Sequence, residues 1–384
     1  MKIALVHKRL DKSGGTELDL YRTAAGLRDL GHEVHLFCSE FVIDPPERTF
    51  AHSIPIVPLG RTARLWSFAT IAPRIIRPFP CDLVMNFDRL FSQDVLRSGG
   101  GSHRAFLQEV GKEGGLRRRL WHRLSPYHRS LLALERQQFK PGHYKRILTV
   151  SEAVKRELLA TYAVPKDKVT VIYNGVDHKR FHPGLRDRFR ETIRKQWHIP
   201  PDAPVVLFVG NSFRRKGLDR LLKVWSFPEM KEIYLMVVGD DTRPGRYKAL
   251  AERQANGRVV FVGRRDDVEC YYGAADLLAL PAVTEAFGNV VLEALASGLS
   301  VVVSRNVGAA EVLRGGLAAG IVVHPEDPEE IATQLLAMLQ RSLHPSFSSA
   351  ARKLAKEYSW QNHFNKLEQF LKETVEQDCG EISS

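Results

Sequence analysis

Glu285-Ala286-Phe287-Gly288-Asn289-Val290-Val291-Leu292-Glu293 follows an apolar run, Leu277 to Leu280, that is closed by Pro281 and Thr284. A run so short and continuous reads as a buried strand, and Val290 to Ala296 reads as a helix stopped by Gly298. Asn289 is the expected N-cap. The helix start presents unpaired backbone N–H groups and the positive end of the dipole, so it favours an anionic phosphate. Glu285 lies in the loop before it and Glu293 one turn in. Each carboxylate can accept hydrogen bonds from hydroxyls, one set on a sugar and the other on a ribose, with the phosphate between them. A plain helix cap with one surface carboxylate would leave Phe287-Gly288-Asn289 unexplained, whereas a glycine there lets a ligand approach the backbone closely.

The same strand-and-helix rhythm extends outward in both directions. Strands are expected at 205–209, 234–238, 258–262, 277–280, 301–303 and 321–323 with helices between them. An earlier series has strands at 3–6, 33–38, 82–86, 95–98, 146–150 and 168–172, and helices at Glu17 to Leu30 and Ser151 to Tyr162. Alternation of this kind implies parallel, doubly wound sheets, and 384 residues exceed the usual span of one core. The prediction is an α/β chain of two Rossmann-like domains, residues 1–185 and 186–365, with residues 366–384 forming a helix end and tail that crosses back to the first domain. Chain breakers Gly175, Pro183, Gly184, Pro200, Pro201 and Pro204 cluster around the expected boundary. Ligands are expected at the carboxyl ends of both sheets, in a central cleft.

Arg215 and Lys216 follow the 205–209 strand and precede Gly217, where a helix is expected. Arg can fork onto phosphate oxygens and Lys supplies a compact charge, so the pair can hold a diphosphate without a metal. The residues alone leave open whether Arg214 or Arg215 makes the contact. Gly14-Gly15, just past the first strand, can bring backbone N–H groups to the same diphosphate, although there is no G-x-G-x-x-G. Glu17 and Asp19 nearby are acidic candidates for acceptor contact or for the helix N-terminus. Gly99-Gly100-Gly101-Ser102-His103-Arg104 follows a strand end and makes His103 a site candidate, with Arg104 as an acceptor candidate.

Net charge is +12 and the isoelectric point about 9.6, which calls for an anionic partner or surface. Between Arg104 and Arg146 eleven Lys/Arg face three Glu, so about two thirds of the excess lies in one segment. Within residues 115–140, Leu116, Leu120, Leu124, Tyr127, Leu131 and Leu134 recur at helical spacing among arginines, with Ser125-Pro126 as an interruption. This predicts peripheral binding to an anionic membrane and no nucleic-acid partner. The alternative is that the leucines pack inward. No run spans a bilayer and the first residues are too short for a signal-peptide core, so the expectation is a cytoplasmic protein on the inner face of the membrane. Cys38, Cys81, Cys270 and Cys379 are scattered and read as reduced thiols.

The Glu285-to-Glu293 spacing resembles the donor motif of retaining glycosyltransferases of family 4, which have the GT-B fold. Val209-Gly-Asn-Ser-Phe-Arg-Arg-Lys-Gly217 resembles the family's diphosphate loop, and Val171-Ile-Tyr-Asn-Gly-Val-Asp177 its hinge segment. Arg214 to Arg220 and the basic segment after Gly101 are most similar to lipopolysaccharide core glucosyltransferases. The resemblance implies UDP-glucose as donor substrate, a glycolipid acceptor, no cofactor and no metal. It assigns Arg215 and Lys216 to the diphosphate and Glu285 to the transferred sugar. Phe287, Gly288, Asn289 and Val290 fall to sugar hydroxyls and phosphate, Glu293 to the ribose, Arg264 to the base, and His103 to the reacting sugar. Another nucleotide sugar, an epimerase or hydrolase acting on the donor, and a non-catalytic binder remain as alternatives. A glycoside hydrolase would need two carboxylates but neither Arg215-Lys216 nor a second Rossmann-like domain.

Overall fold

A computed structural model describes residues 1–12, 15–108, 124–255, 258–342 and 344–382. It divides into two units, Met1–Tyr173 with His363–Ser384, and Asn174–Asn362.

The first unit carries β1 (Lys2–Val6), β2 (Arg9–Leu10), β3 (Glu33–Cys38), β4 (Glu40–Phe41), β5 (Phe50–Ser53), β6 (Leu83–Asn86), β7 (Val95–Ser98), β8 (Arg146–Thr149) and β9 (Val169–Val171). Seven of them form a parallel sheet in the order β5-β3-β1-β6-β7-β8-β9, while β2 and β4 pair separately. Side chains alternate across a strand, so β1 feeds two cores. Ile3 and Leu5 pack with Leu20, Ala24 and Leu27 of the helix Gly15–Asp29 on one face. Ala4 and Val6 pack with Phe68, Ala72 and Ile76 of the helix Gly60–Ile76 on the other. Both faces are covered, which is why these strands read as continuous apolar runs instead of alternating ones.

The last helix, Trp360–Ile382, returns to this unit. Leu367, Phe370 and Leu371 join the core around Ile3 and Leu5. Burying each such side chain is worth roughly 1.5–3 kcal/mol, and Gly26 lets Phe364 come close, since a Cβ there would lie 2.4 Å from its ring.

The second unit has β10 (Val205–Val209), β11 (Tyr234–Val238), β12 (Val259–Gly263), β13 (Leu277–Leu280), β14 (Ser300–Ser304) and β15 (Ile321–Val322) in one sheet ordered β12-β11-β10-β13-β14-β15. Its first residues begin earlier than the expected boundary at 185. Val176 N donates to Tyr358 O at 2.8 Å, Phe181 packs edge-on against Tyr272, and Arg352 donates to Phe181 O at 2.8 Å. Residues 174–185 therefore belong with the second sheet, and the division follows Tyr173. The unit ends at Asn362, three residues before the expected 365. Among the described residues no helix is long and apolar enough to cross a membrane.

Candidate active site

In the second sheet the strand order reverses between β10 and β13, the position where open α/β sheets bind ligands beyond their carboxyl ends. The loop after β10 leads through a single helical turn, Phe213–Lys216, into the helix Leu218–Val224. Gly217 separates the two with φ +83°, and a Cβ there would lie 2.1 Å from Pro281 O. The glycine is what lets the Arg-Lys turn press against the β13 end.

That turn meets the loop from β13. Arg215 Nη1 and Lys216 Nζ each lie 2.8 Å from Glu285 Oε2, and Arg215 also donates to Thr284 O at 3.2 Å. Burial alone would push the Glu285 carboxyl up, but the Lys216 and Arg215 cations outweigh it and hold the group below its usual range. Three of the residues picked from sequence thus form one charged cluster, seventy positions apart in the chain. Of the two candidate arginines, Arg215 makes this contact; Phe213 N, just before Arg214, donates to Asp241 at 2.9 Å.

Glu285 N donates to Asn306 O, Gly308 N donates back to Glu285 O, and Ala309 N donates to Phe287 O at 2.7 Å, so the loop is held to the segment after β14. Gly288, not Asn289, occupies the N-cap, with φ +90°. Asn289 is instead the first residue of the helix Asn289–Ala296, and its Oδ1 accepts from Asn174 Nδ2 at 2.9 Å. The left-handed conformation explains the shift, because Gly tolerates it and Asn with a Cβ does so less readily. Glu293 accepts from Tyr272 Oη at 2.8 Å. Burial and the Glu293 carboxylate together drive the Tyr272 phenol well above its ordinary pKa, so it stays a neutral donor. Phe287 is buried, Val290 half-buried, and Arg264 exposed beyond β12.

The first unit places its candidates differently. Gly14 lies outside the described residues, and Gly15 is the exposed first residue of its helix with Glu17 in the first turn. Asp19 forks onto Arg97 of β7, whose side chain is fully buried. His103 N and Arg104 N both donate to the buried Glu135, at 2.7 and 3.2 Å, and His103 Nε2 faces His128 Nδ1 at 3.0 Å. Asp88, Arg89, Arg97, Glu135 and Tyr272 escaped the sequence reading. Asp88 sits directly past β6 as Glu285 does past β13, a signal that was available; Tyr272 lies inside a helix and gave none.

Ser125 caps the helix Pro126–Gln138, with Pro126 in its first turn, so the chain is interrupted there. Leu131 and Leu134 are buried against Leu65 and Ala69, and Tyr127 packs beside them. Of the apolar stripe expected to meet a membrane, Leu131 and Leu134 are thus used for internal packing, which corrects the reading for these two; residues 109–123, with Leu116 and Leu120, lie outside the described set. Arg129, Arg136, Lys140 and Leu124 remain exposed.

Residues 13–180 match the family model described as Glycosyltransferase Family 4, and residues 203–341 the one described as Glycosyl transferases group 1. The chain is a family 4 glycosyltransferase with the GT-B fold. This glycosyltransferase is 26% identical over 347 residues to the lipopolysaccharide glucosyltransferase WaaG of Escherichia coli K12, covering 89% of this chain and 91% of that one. A crystal structure of WaaG, a glycosyltransferase involved in lipopolysaccharide biosynthesis, superposes with a TM-score of 0.80 at 25% identity over 96% of this chain and 99% of that one. Anabaena HepE in complex with UDP-glucose shares the fold, with a TM-score of 0.69 at 19% identity over 97% and 100%.

Proposed function

We propose that this glycosyltransferase transfers glucose from UDP-glucose, with retention and without a metal, to a lipopolysaccharide-core or similar glycolipid acceptor at the inner face of the membrane. The observation that carries the donor half is the convergence of Arg215 and Lys216 on Glu285 where the second sheet reverses. Two cations paired to one carboxylate are poised for exchange. A diphosphate offers them more negative charge than Glu285 does, and once they turn to it the carboxylate can accept from sugar hydroxyls. Gly14 and Gly15 are assigned to the diphosphate, Asn289 and the backbone from Phe287 to Val290 to phosphate and sugar, Glu293 to the ribose, and Arg264 to the base.

On this reading the acceptor oxygen bonds to the anomeric carbon on the face from which the diphosphate leaves. The C1–O bond breaks and the departing diphosphate takes the acceptor's proton. Arg215 and Lys216 stabilise the charge that develops there, so the protein contributes mainly electrostatics. His103 is assigned to the reacting sugar and Arg104, Glu17 and Asp19 to the acceptor. Similarity to WaaG over nearly the full length of both chains supports the glucosyl and lipopolysaccharide assignments. The exposed Arg129, Arg136 and Lys140 support a role for residues 115–140 at an anionic membrane surface.

The test is a panel of nucleotide sugars scored by thermal shift, since a ligand that binds only the folded state raises stability as ln(1 + [L]/Kd). UDP-glucose should give the largest shift, and release of UDP should depend on acceptor. A larger shift with another nucleotide sugar would replace the donor assignment, and acceptor-independent turnover would favour a hydrolase or epimerase. Loss of activity in EDTA would overturn the metal-free mechanism.

A further inference from the structure

The side chain of Asn289 has no task in its own helix. It is the first residue of Asn289–Ala296, Gly288 occupies the N-cap, and no side chain caps that end. Asparagine is favoured at an N-cap because its oxygen can accept from the first N–H groups, and one position later that advantage is gone. The oxygen is used elsewhere: Asn289 Oδ1 accepts from Asn174 Nδ2 at 2.9 Å. Among the described residues this is its one side-chain hydrogen bond, which leaves Asn289 Nδ2 without a partner. Asn289 is half-buried and its Nδ2 is not sealed from solvent, so a ligand can reach it.

Asn174 is held on both sides. Tyr173 O accepts from His363 Nδ1 at 2.7 Å, and Val176 N donates to Tyr358 O at 2.8 Å. A Cβ on Gly175 would lie 2.4 Å from Trp360 N, so the chain at this point admits no side chain. With its flanking backbone pinned and 9% of its surface exposed, Asn174 has little room to re-aim its amide and is the fixed member of the pair.

An asparagine amide has two opposite ends, an oxygen that repels an anion and an NH2 that donates to one. By engaging the oxygen, Asn174 settles which end of Asn289 remains. The first N–H groups of a helix have no partner within it and carry the positive end of the dipole. A Cβ on Gly288 would stand 3.4 Å from Glu285 Cγ, so this helix start lies beside the carboxylate that Arg215 and Lys216 share. Glu285 is assigned to the sugar, and Glu293, one turn further along, to the ribose. The phosphate that meets the helix start is therefore the one bonded to the sugar, not the one bonded to the nucleoside.

We propose that Asn174 is a positioning residue for the donor: it holds Asn289 with the amide nitrogen turned outward, and Asn289 Nδ2 donates to the sugar-bearing phosphate of the nucleotide sugar. This deepens the donor half of the proposed function and rests on it.

Calorimetric titration of the full chain with UDP and with UMP tests it, because UMP lacks that phosphate. Asn289→Ala should weaken UDP binding about 10-fold and Asn174→Ala about 3- to 10-fold, while UMP affinity changes by less than about twofold in either. The double variant should bind UDP no more weakly than Asn289→Ala alone, since Asn174 acts only through Asn289. Asn174→Leu, close to asparagine in size, should repeat the Asn174→Ala result and separates the lost hydrogen bond from a packing gap. Asn289→Ala, at a half-buried surface position, keeps the test decisive should both Asn174 variants fold poorly. Unchanged UDP affinity in Asn289→Ala or in Asn174→Ala, equal losses for UDP and UMP, additive losses in the double variant, or tighter UDP binding in Asn174→Ala would each overturn the proposal. Should the wild type bind GDP or ADP in place of UDP, the UDP-glucose reading fails, and the same set of variants titrated with that diphosphate and its monophosphate still decides the role of Asn174. No binding of any nucleoside diphosphate by the wild type would overturn both.

Discussion

Lys216 Nζ and Glu285 Oε2 stand 2.8 Å apart, the lysine 12% and the glutamate 15% exposed, with Arg215 on the same oxygen. A charge-assisted hydrogen bond of this kind contributes roughly 1.5–3 kcal/mol when the alternative is a buried unpaired charge. The pairing means that a diphosphate must draw the cations away from a partner they already have. Arg215→Ala or Lys216→Ala should therefore lower donor affinity about 10- to 100-fold. Glu285→Gln should bind UDP as tightly as wild type or more tightly, because no carboxylate competes, while kcat falls. Calorimetric titration with UDP checks this; a tenfold loss of UDP affinity in Glu285→Gln would refute the exchange.

Tyr272 orients Glu293 through a 2.8 Å hydrogen bond from a fully buried phenol. Tyr272→Phe keeps the ring's packing and removes only the donor, so nucleotide binding should weaken by about 3- to 10-fold, consistent with the net worth of one hydrogen bond. Glu293→Ala should weaken it further. If Tyr272→Phe left the Kd for UDP unchanged, the hydrogen bond would have no part in positioning Glu293.

Gly217→Ala should be far more damaging than its size suggests. It combines φ +83° with a backbone clash against Pro281 O, and the expected loss is about 3 kcal/mol or more. Gly100→Ala, with open space around it, should change stability little. Urea unfolding of the two variants makes the comparison, and equal midpoints would refute it.

His363 carries a pH dependence. Burial, reinforced by Arg97, pushes its pKa down to about 4 against a hydrogen bond to Tyr173 O that acts the other way. The ring is neutral in the folded state, whereas the unfolded chain takes up a proton near the ordinary value of about 6.5. Its contribution is therefore complete above pH 6.5 and is lost as pH falls toward 4. Between pH 7 and pH 5 the loss should be about 2 kcal/mol. Denaturant unfolding of wild type and His363→Gln at both pH values should show a smaller drop in the variant, and parallel drops would exclude His363 as the cause.

Membrane binding, if it depends on charge, should follow the exposed cations and not the leucines. Arg129→Glu/Arg136→Glu/Lys140→Glu should weaken sedimentation with anionic vesicles by about 1 kcal/mol per charge near the surface, in a salt-sensitive way. Leu131→Ala should instead act on folding, since that side chain is buried against Leu65. No binding to anionic vesicles by the wild type would refute the membrane role.

The strands were readable because each is an apolar run covered on both faces, and β3, β7, β10, β11 and β13 begin and end where the sequence places them. β5 was not, since Phe50–Ser53 is an edge strand with exposed positions and carries no such run. The charged donor residues were also readable, because their types and spacing are local: Arg215 and Lys216 end one strand loop, Glu285 and Glu293 flank the next. Their mutual contact was not local. It depends on β10 lying beside β13 in the sheet, an order that crossover connections set and no window of sequence contains. The same holds for Leu131 and Leu134, whose helical spacing suits a membrane and a protein core equally well. Only the packing of their helix against Leu65 and Ala69 decided between them. Sequence by itself determined the parallel α/β architecture and the kind of chemistry at each strand end. Tertiary structure decided which charges share a partner and that Gly288 and not Asn289 caps the helix, because pairing and backbone handedness are settled by neighbours distant in the chain.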